Sequence, residues 1–451
     1  MDISTFGEKI AKEAESRGFE DWEIYYENSG STSVKIFKGE VQEYKSSNPV
    51  GVSFRGTVNG RIGYSFTERI HEDVIRDLVK NAADNAAIID AEEIERLYRG
   101  GGAYPEAICY NPGLRDLGAR EMVEFGLRME KAAFESDGRV RGEDFCVVGS
   151  GEGETAIINS HGLNLSHKTN MINAFISVIV EEDGNAKAWG ELWYGTDPAK
   201  FDPEALGAAA VKKAVSYLPA KSMPSGACPV VFNNESAADL LDTFSGIFYA
   251  DSVQKGFSLL KDKTGTKIAS DCVTIRDDYE CEGSIVKVPF DSEGVACKNK
   301  VVIENGILKT LLYNLKSAEK DGVESTGNGF KPGLRQAVDT SCTNFHVVAP
   351  GEGSGNVYEG VGSGLYITEV SGLHAGANTV TGDFSLLSKG FLIENGELGR
   401  PVEQITVSGN FYKLLLDIES VGGDVRFSIP SGSGSVGTPS ILVRELQIAG
   451  E

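Results

Sequence analysis

The placement of glycine constrains this chain more than any other feature. There are 54 glycines in 451 residues, about 12% against an ordinary ~7%, and they follow no fixed period. They fall between short β-prone runs, where a reversing backbone needs residues that tolerate positive φ. Many tight turns imply much antiparallel sheet. Asn59-Gly60, Asn305-Gly306 and Asn395-Gly396 each divide two such runs, and Asn-Gly is the dipeptide that two-residue hairpins favour. The segments Val301–Leu308 and Phe391–Leu398 echo each other; they read as two similar hairpins rather than a repeated domain.

Helical spacing accompanies the strand signals. Phe6, Ile10, Ala11 and Ala14 share a face behind a capping box at Thr5–Glu8, and Val74 to Ala83 repeats apolar residues at three and four. Further helices are expected at Asp116–Ser136, Pro203–Leu218, Glu235–Phe248 and Phe411–Glu419, with a surface connection at Arg99–Pro112. Strands are expected at Trp22–Glu27, Ser33–Lys38, Gly51–Val58, Arg61–Phe66, Ala156–Asn159, Ile172–Glu181 and Ser440–Ile448. Lys221 to Gly226 has linker chemistry. The expectation is an α+β chain with two parts. Residues 1–222 form mixed and antiparallel sheets with flanking helices, and residues 223–451 form a β-rich domain carrying the Glu235–Phe248 helix.

Charge and cysteine usage narrow the function classes. A formal charge of −23 opposes binding to a polyanion, so no nucleic-acid partner is expected. No apolar run approaches the ~18 residues of a spanning helix, and the acidic N-terminus lacks the apolar core of a secretory signal. Seven scattered cysteines without a Cys-x-x-Cys fit reduced thiols. No membrane contact and a cytoplasmic location are expected.

Chemical motifs are sparse. Gly151-Glu152-Gly153-Glu154 imitates a dinucleotide fingerprint, but a strand-like run follows it where the pyrophosphate needs a helix. It reads as a hairpin turn. A P-loop and a Gly-x-Ser-x-Gly elbow are both absent. Of five histidines, His71 opens a helix, His161 and His167 flank a turn at Gly162, and His346 lies on a strand-like run. The glycine-punctuated loop Ser371–Ser385 holds His374 and Asp383. They are either a base and its orienter or ordinary loop residues bonding the backbone.

An ordered set of short segments carries a resemblance along nearly the whole chain. It comprises Gly51–Arg55 with Asn59–Tyr64, Pro224-Ser225-Gly226 before Pro229-Val230-Val231, and Ser325–Gly329. It continues with Thr343-Asn344-Phe345, the Ser371–Ser385 loop, Leu392–Gly396 and Gly437–Ser440. With these the chain resembles the TldD/PmbA family, historically called modulators of DNA gyrase. The resemblance implies a two-branch system acting on unstructured peptides. The TldD branch carries zinc on a His-Glu-x-x-x-His helix with a late cysteine as third ligand. The PmbA branch, also called TldE, is its partner. The zinc motif falls on Asp242 to Ile247, so that Asp242 and Ile247 replace the histidines, Thr243 replaces the glutamate base, and Gly422 stands near the cysteine position. Catalytic zinc takes three protein ligands and a water beside a base; these side chains supply neither. The resemblance therefore implies a PmbA/TldE-type subunit with no metal, cofactor or catalytic residue of its own. Its partner would be a TldD-type metallopeptidase, with a homodimer when the chain stands alone. Two alternatives remain. One is an autonomous hydrolase using His374 and Asp383, and the other is a non-catalytic peptide-binding homodimer.

Overall fold

A computed structural model describes residues 2–88, 96–351 and 356–451. With 25% helix and 42% strand in mixed sheets, the chain is α+β. It divides into two compact units. The first is residues 1–218 with 289–296 and 329–339, and the second is the remainder from Pro219.

In the first unit, helix α1 (Ile3–Ser16) buries Phe6, Ile10 and Ala14. It starts earlier than the Thr5 box anticipates, because the Asp2 carboxylate accepts the Thr5 N–H at 2.9 Å and caps the helix itself. Strand β1 (Asp21–Phe37) joins two expected strands into one of 17 residues. The polar link Asn28–Thr32 stays extended because strand β5 (Val140–Asn159) pairs with it continuously, Asn28 opposite Glu154 and Gly30 opposite Glu152. Strands β2 (Glu40–Ser47) and β3 (Val50–Val58) flank the two halves of β1. Strand β4 (Arg61–Thr67) follows through Asn59 and Gly60, with φ of 50° and 70°, the positive angles that a two-residue hairpin requires.

The sheet continues through β5, β6 (Asn164–Glu182) and β7 (Asn185–Gly195), in the order β4-β3-β1-β5-β6-β7 with β2 beside β1. Gly151 to Glu154 are not a hairpin turn. They lie inside β5, paired with β1 on one side and β6 on the other. Glycine serves here for close approach, since a Cβ on Gly153 would sit 3.0 Å from Thr169 Oγ1. Helices α2 (Ile75–Ile88), α3 (Ala119–Ser136) and α4 (Pro203–Ser216) pack on this sheet. One apolar cluster gathers Phe6, Ile10, Ile24, Phe54, Leu78 and Val79. On β1 and β3 the buried Glu23 and Arg55 pair at 2.7 Å, with Glu293 3.9 Å from the guanidinium. The two carboxylates hold Arg55 above its ordinary range against the opposing effect of burial.

The second unit is built around a closed barrel. Strand β8 (Gly226–Phe232) lies between Ser363–Ser371 and Ile441–Ala449. Asp383–Glu394 and Glu397–Asn410 complete the circuit, and Thr406 pairs with Ala449 to close it. A further sheet gathers Ile275–Asp278, Lys300–Glu304, Asn344–Val347 and Ser435–Thr438. Both Asn-Gly hairpins form as expected: Asn305 and Asn395 have φ of 48° and 54°, with Glu304 facing Ile307 and Glu394 facing Glu397. The main core of the unit fully buries Phe232, Phe244, Phe248 and Phe345.

Candidate functional site

The helix that the family resemblance marks, α5 (Asn234–Phe244), follows β8 directly. Asn233 caps it, accepting the Ser236 N–H at 2.8 Å. Ser236 Oγ also reaches the Ile367 carbonyl at 3.1 Å, fixing the helix start to the barrel. Phe244 stacks on Phe411 with ring centroids 4.5 Å apart. The chain then tightens into a 3-10 turn, Ser245–Phe248.

The four positions of the resemblance divide cleanly. Ile247 is 1% exposed and belongs to the core with Leu240 and Phe244. Thr243 turns its hydroxyl back to the Asp239 carbonyl at 2.7 Å, a helix-internal bond that leaves no base there. Asp242 is solvent-facing on α5. Gly422 follows the strand Ile418–Val421 and donates its N–H to Ser440 O at 2.8 Å; a Cβ there would meet Asp424 Oδ1 at 2.7 Å. One carboxylate, one hydroxyl, an aliphatic chain and a glycine do not make a zinc site. Among the described residues no group of three His, Cys, Asp or Glu is placed to hold a metal ion.

The surface of α5 is acidic instead. Desolvation on this helix face, with the like charges of Glu235, Asp242 and Glu369, pushes the Asp239 carboxyl up to about 6. Desolvation also raises Asp242.

His374 and Asp383 occupy separate settings. His374 sits exposed on the short helical turn Leu373–Gly376. Asp383 accepts from Thr381 Oγ1 and Asn410 Nδ2, each at 2.8 Å, rather than from His374. Those bonds hold its carboxyl below the ordinary value. The loop's glycines answer to packing: a Cβ on Gly376 would lie 2.4 Å from Ser385 O, and Gly382, at φ +83°, would meet Tyr412 at 2.5 Å. His161 lies 3.8 Å from Asp21, and the His167 ring packs against Phe290.

The sequence gives no hint of one cluster, because its members are far apart in the chain. Cys281 Sγ lies 3.7 Å from His346 Nε2, which lies 4.0 Å from Asp278 Oδ2. Burial, then Asp278, pushes the thiol up to about 11. A thiol held protonated near pH 7 is not an activated nucleophile, so the trio is a packed polar contact.

The fold defines a class: an α+β chain whose second unit is a closed barrel with α5 packed on its core. The sequence matches three consecutive family profiles. They are the PmbA/TldA metallopeptidase domain 1 over residues 22–86, the central domain over 112–218 and the C-terminal domain over 225–450. The metalloprotease PmbA of Escherichia coli O157:H7 is 30% identical over 352 residues, 77% of this chain and 73% of that one. The structure of a candidate modulator of a DNA gyrase from Thermotoga maritima superposes with a TM-score of 0.89 at 31% identity, covering 99% of this chain and 100% of the other. TldE from Thermococcus kodakarensis shares the fold, with a TM-score of 0.89 at 22% identity and coverage of 99% and 100%. The chain belongs to the PmbA/TldD metallopeptidase family.

Proposed function

We propose that this chain is the PmbA/TldE-type subunit of a two-component peptidase that cleaves unstructured peptides, and that it carries no catalytic zinc of its own. The observation that supports this most is Ile247. A residue that is 1% exposed and locked into the barrel core stands at the second histidine position of the motif. Thr243, bonded to its own helix, stands where the base belongs. Metal and base would come from a TldD-type partner. In the cell the pair is a heterodimer in the cytoplasm; the isolated chain forms a homodimer.

The test is a peptidase assay on unstructured peptides with the chain alone, a partner bearing an intact His-Glu-x-x-x-His alone, and the two mixed. Metal is quantified in each sample. Cleavage confined to samples containing the partner, with zinc only in the partner, is the expected result. Stoichiometric zinc and cleavage by this chain alone would overturn the proposal.

A further inference from the structure

We infer that the first unit binds a small zwitterion, an amino acid or a dipeptide, between Arg115 and Glu152. This rests on the reading above only in that peptide cleavage releases such compounds; the site is a property of this chain alone. Gly151-Glu152-Gly153-Glu154 runs straight through β5, so its two glutamates share one face of the sheet and its two glycines the other. Strand register sets their neighbours. Glu152 lies opposite Gly30 of β1 and Asn170 of β6, and Glu154 lies opposite Asn28 and Lys168. Gly30 keeps the floor open beside Glu152: a Cβ there would sit 3.2 Å from Glu152 Cγ and 3.3 Å from Asn48 Oδ1.

A pinned turn flanks this face. Asn170, 6% exposed, accepts the Asn111 N–H and donates to the Asn111 carbonyl, both at 2.8 Å. Asn111 Nδ2 donates to Thr196 O at 2.7 Å. Its Oδ1 accepts the Gly113 N–H at 3.0 Å and so caps the 3-10 turn Pro112–Asp116, in which Leu114 is buried. The turn thereby sets Arg115 beside two adjoining hollows of about 210 and 270 Å³, and both are lined by Arg115 and Glu152. Each is smaller than the ~300–1,000 Å³ pockets that drug-sized ligands fill.

The charges select the ligand. Lys168 and Glu154 offset each other at 3.5 Å. The Arg115 and Glu152 side chains make no ion pair or hydrogen bond among the described residues, with each other or with a neighbour. A guanidinium and a carboxylate kept apart along one polar hollow match a carboxylate and an ammonium carried by one molecule. A simple anion is repelled by Glu152, and a simple cation by Arg115. Asn28 Oδ1, buried in the wall of the smaller hollow, accepts from no donor, and an ammonium brings three. Thr32, Ser46, Asn48 and Ser150 line the larger hollow, so the room beside the charges suits a small or hydroxylated side chain rather than an aliphatic one.

The experiment is a calorimetric titration of the full chain at low salt with serine, with seryl-serine, with the N-acetyl and C-amide forms of whichever binds tighter, and with leucyl-leucine. Saturable heat is expected from serine or seryl-serine, and the tighter of the two identifies the amino acid or the dipeptide as the ligand. Acetylation and amidation should each weaken binding by about tenfold, the worth of one hydrogen bond to a charged group. Glu152→Gln should remove the discrimination against the acetyl form and keep that against the amide; Arg115→Gln should do the reverse. Both side chains are exposed, so the variants change charge without disturbing the core. No saturable heat, equal binding of the capped forms, or leucyl-leucine binding as tightly as seryl-serine overturns the inference. A failed titration with peptidase activity intact in the mixture with a partner refutes this site alone. The expected titration with no activity in that mixture refutes the subunit reading alone.

Discussion

Ile247 is packed into the core while Thr243 bonds only its own helix, so the two positions differ in cost. Ile247→Ala should lower unfolding free energy by about 2–5 kcal/mol, the cost of a large-to-small change at a closed site. Thr243→Ala should change it by less than about 0.5 kcal/mol, since its hydroxyl only bonds its own helix. Urea denaturation of both variants checks the pair, and equal effects would contradict the assignment of Ile247 to the core. His374→Ala should leave the melting temperature unchanged, because the side chain is exposed. A second residue-scale test concerns pH. Glu130 of α3 accepts the Gly39 N–H at 2.7 Å, and Glu143 of β5 accepts the Lys38 N–H at 3.0 Å, so two carboxyls hold one turn. Burial, then the neighbouring Glu143 carboxyl, raises the Glu130 carboxyl above its ordinary value. A carboxyl raised by folding contributes stability that is full below its unfolded value and lost as pH rises through its folded value. Glu130→Gln should therefore flatten the decline of melting temperature as pH rises above the ordinary carboxyl range; an unchanged slope would contradict the shared-turn account. The burial of Ile247 was legible in the sequence from its helical spacing to Leu240 and Phe244. The Cys281–His346 contact was not, because nothing local marks residues that meet through strand pairing.

At the scale of elements, turns were the most legible feature. Asn59-Gly60 and the two later Asn-Gly pairs adopt positive φ where the sequence places them, because that chemistry is local. Strand continuity was less legible. The join of Trp22–Glu27 and Ser33–Lys38 into β1 depends on a partner strand more than a hundred residues away, and the passage of Gly151–Glu154 through the middle of β5 depends on pairing with both β1 and β6. A glycine that signals a turn in isolation can equally mark a crowded strand. Helix contacts follow the same rule. Gly207 of α4 faces α3 so closely that a Cβ would lie 2.3 Å from Met129 O. Gly→Ala inside a helix ordinarily gains about 1 kcal/mol. Here the opposing backbone cannot yield as a side chain would, and overpacking costs about 1–3 kcal/mol. Gly207→Ala should thus lower the melting temperature, and a rise would show that the two helices are not held at this distance.

Across the whole molecule, the α+β class and the acidic character followed from pattern and composition. The make-up of the first unit did not, since residues 289–296 and 329–339 join it from far along the chain. Those segments supply Glu293 beside Arg55 and place Leu334 against Gly51, contacts that escape a linear reading. The barrel unit presents the complementary case. Its helix α5 turns Leu240, Leu241 and Phe244 into the core. The most direct measurement is metal content together with peptidase rate for the purified chain, before and after adding a family member with an intact zinc motif. The account predicts less than about a tenth of an equivalent of zinc and no cleavage for this chain alone, since losing ligands and base together exceeds the ~10–100-fold cost of losing one outer-shell partner. Activity should emerge only in the mixture. One equivalent of zinc bound by this chain, with cleavage that a chelator abolishes, would contradict it.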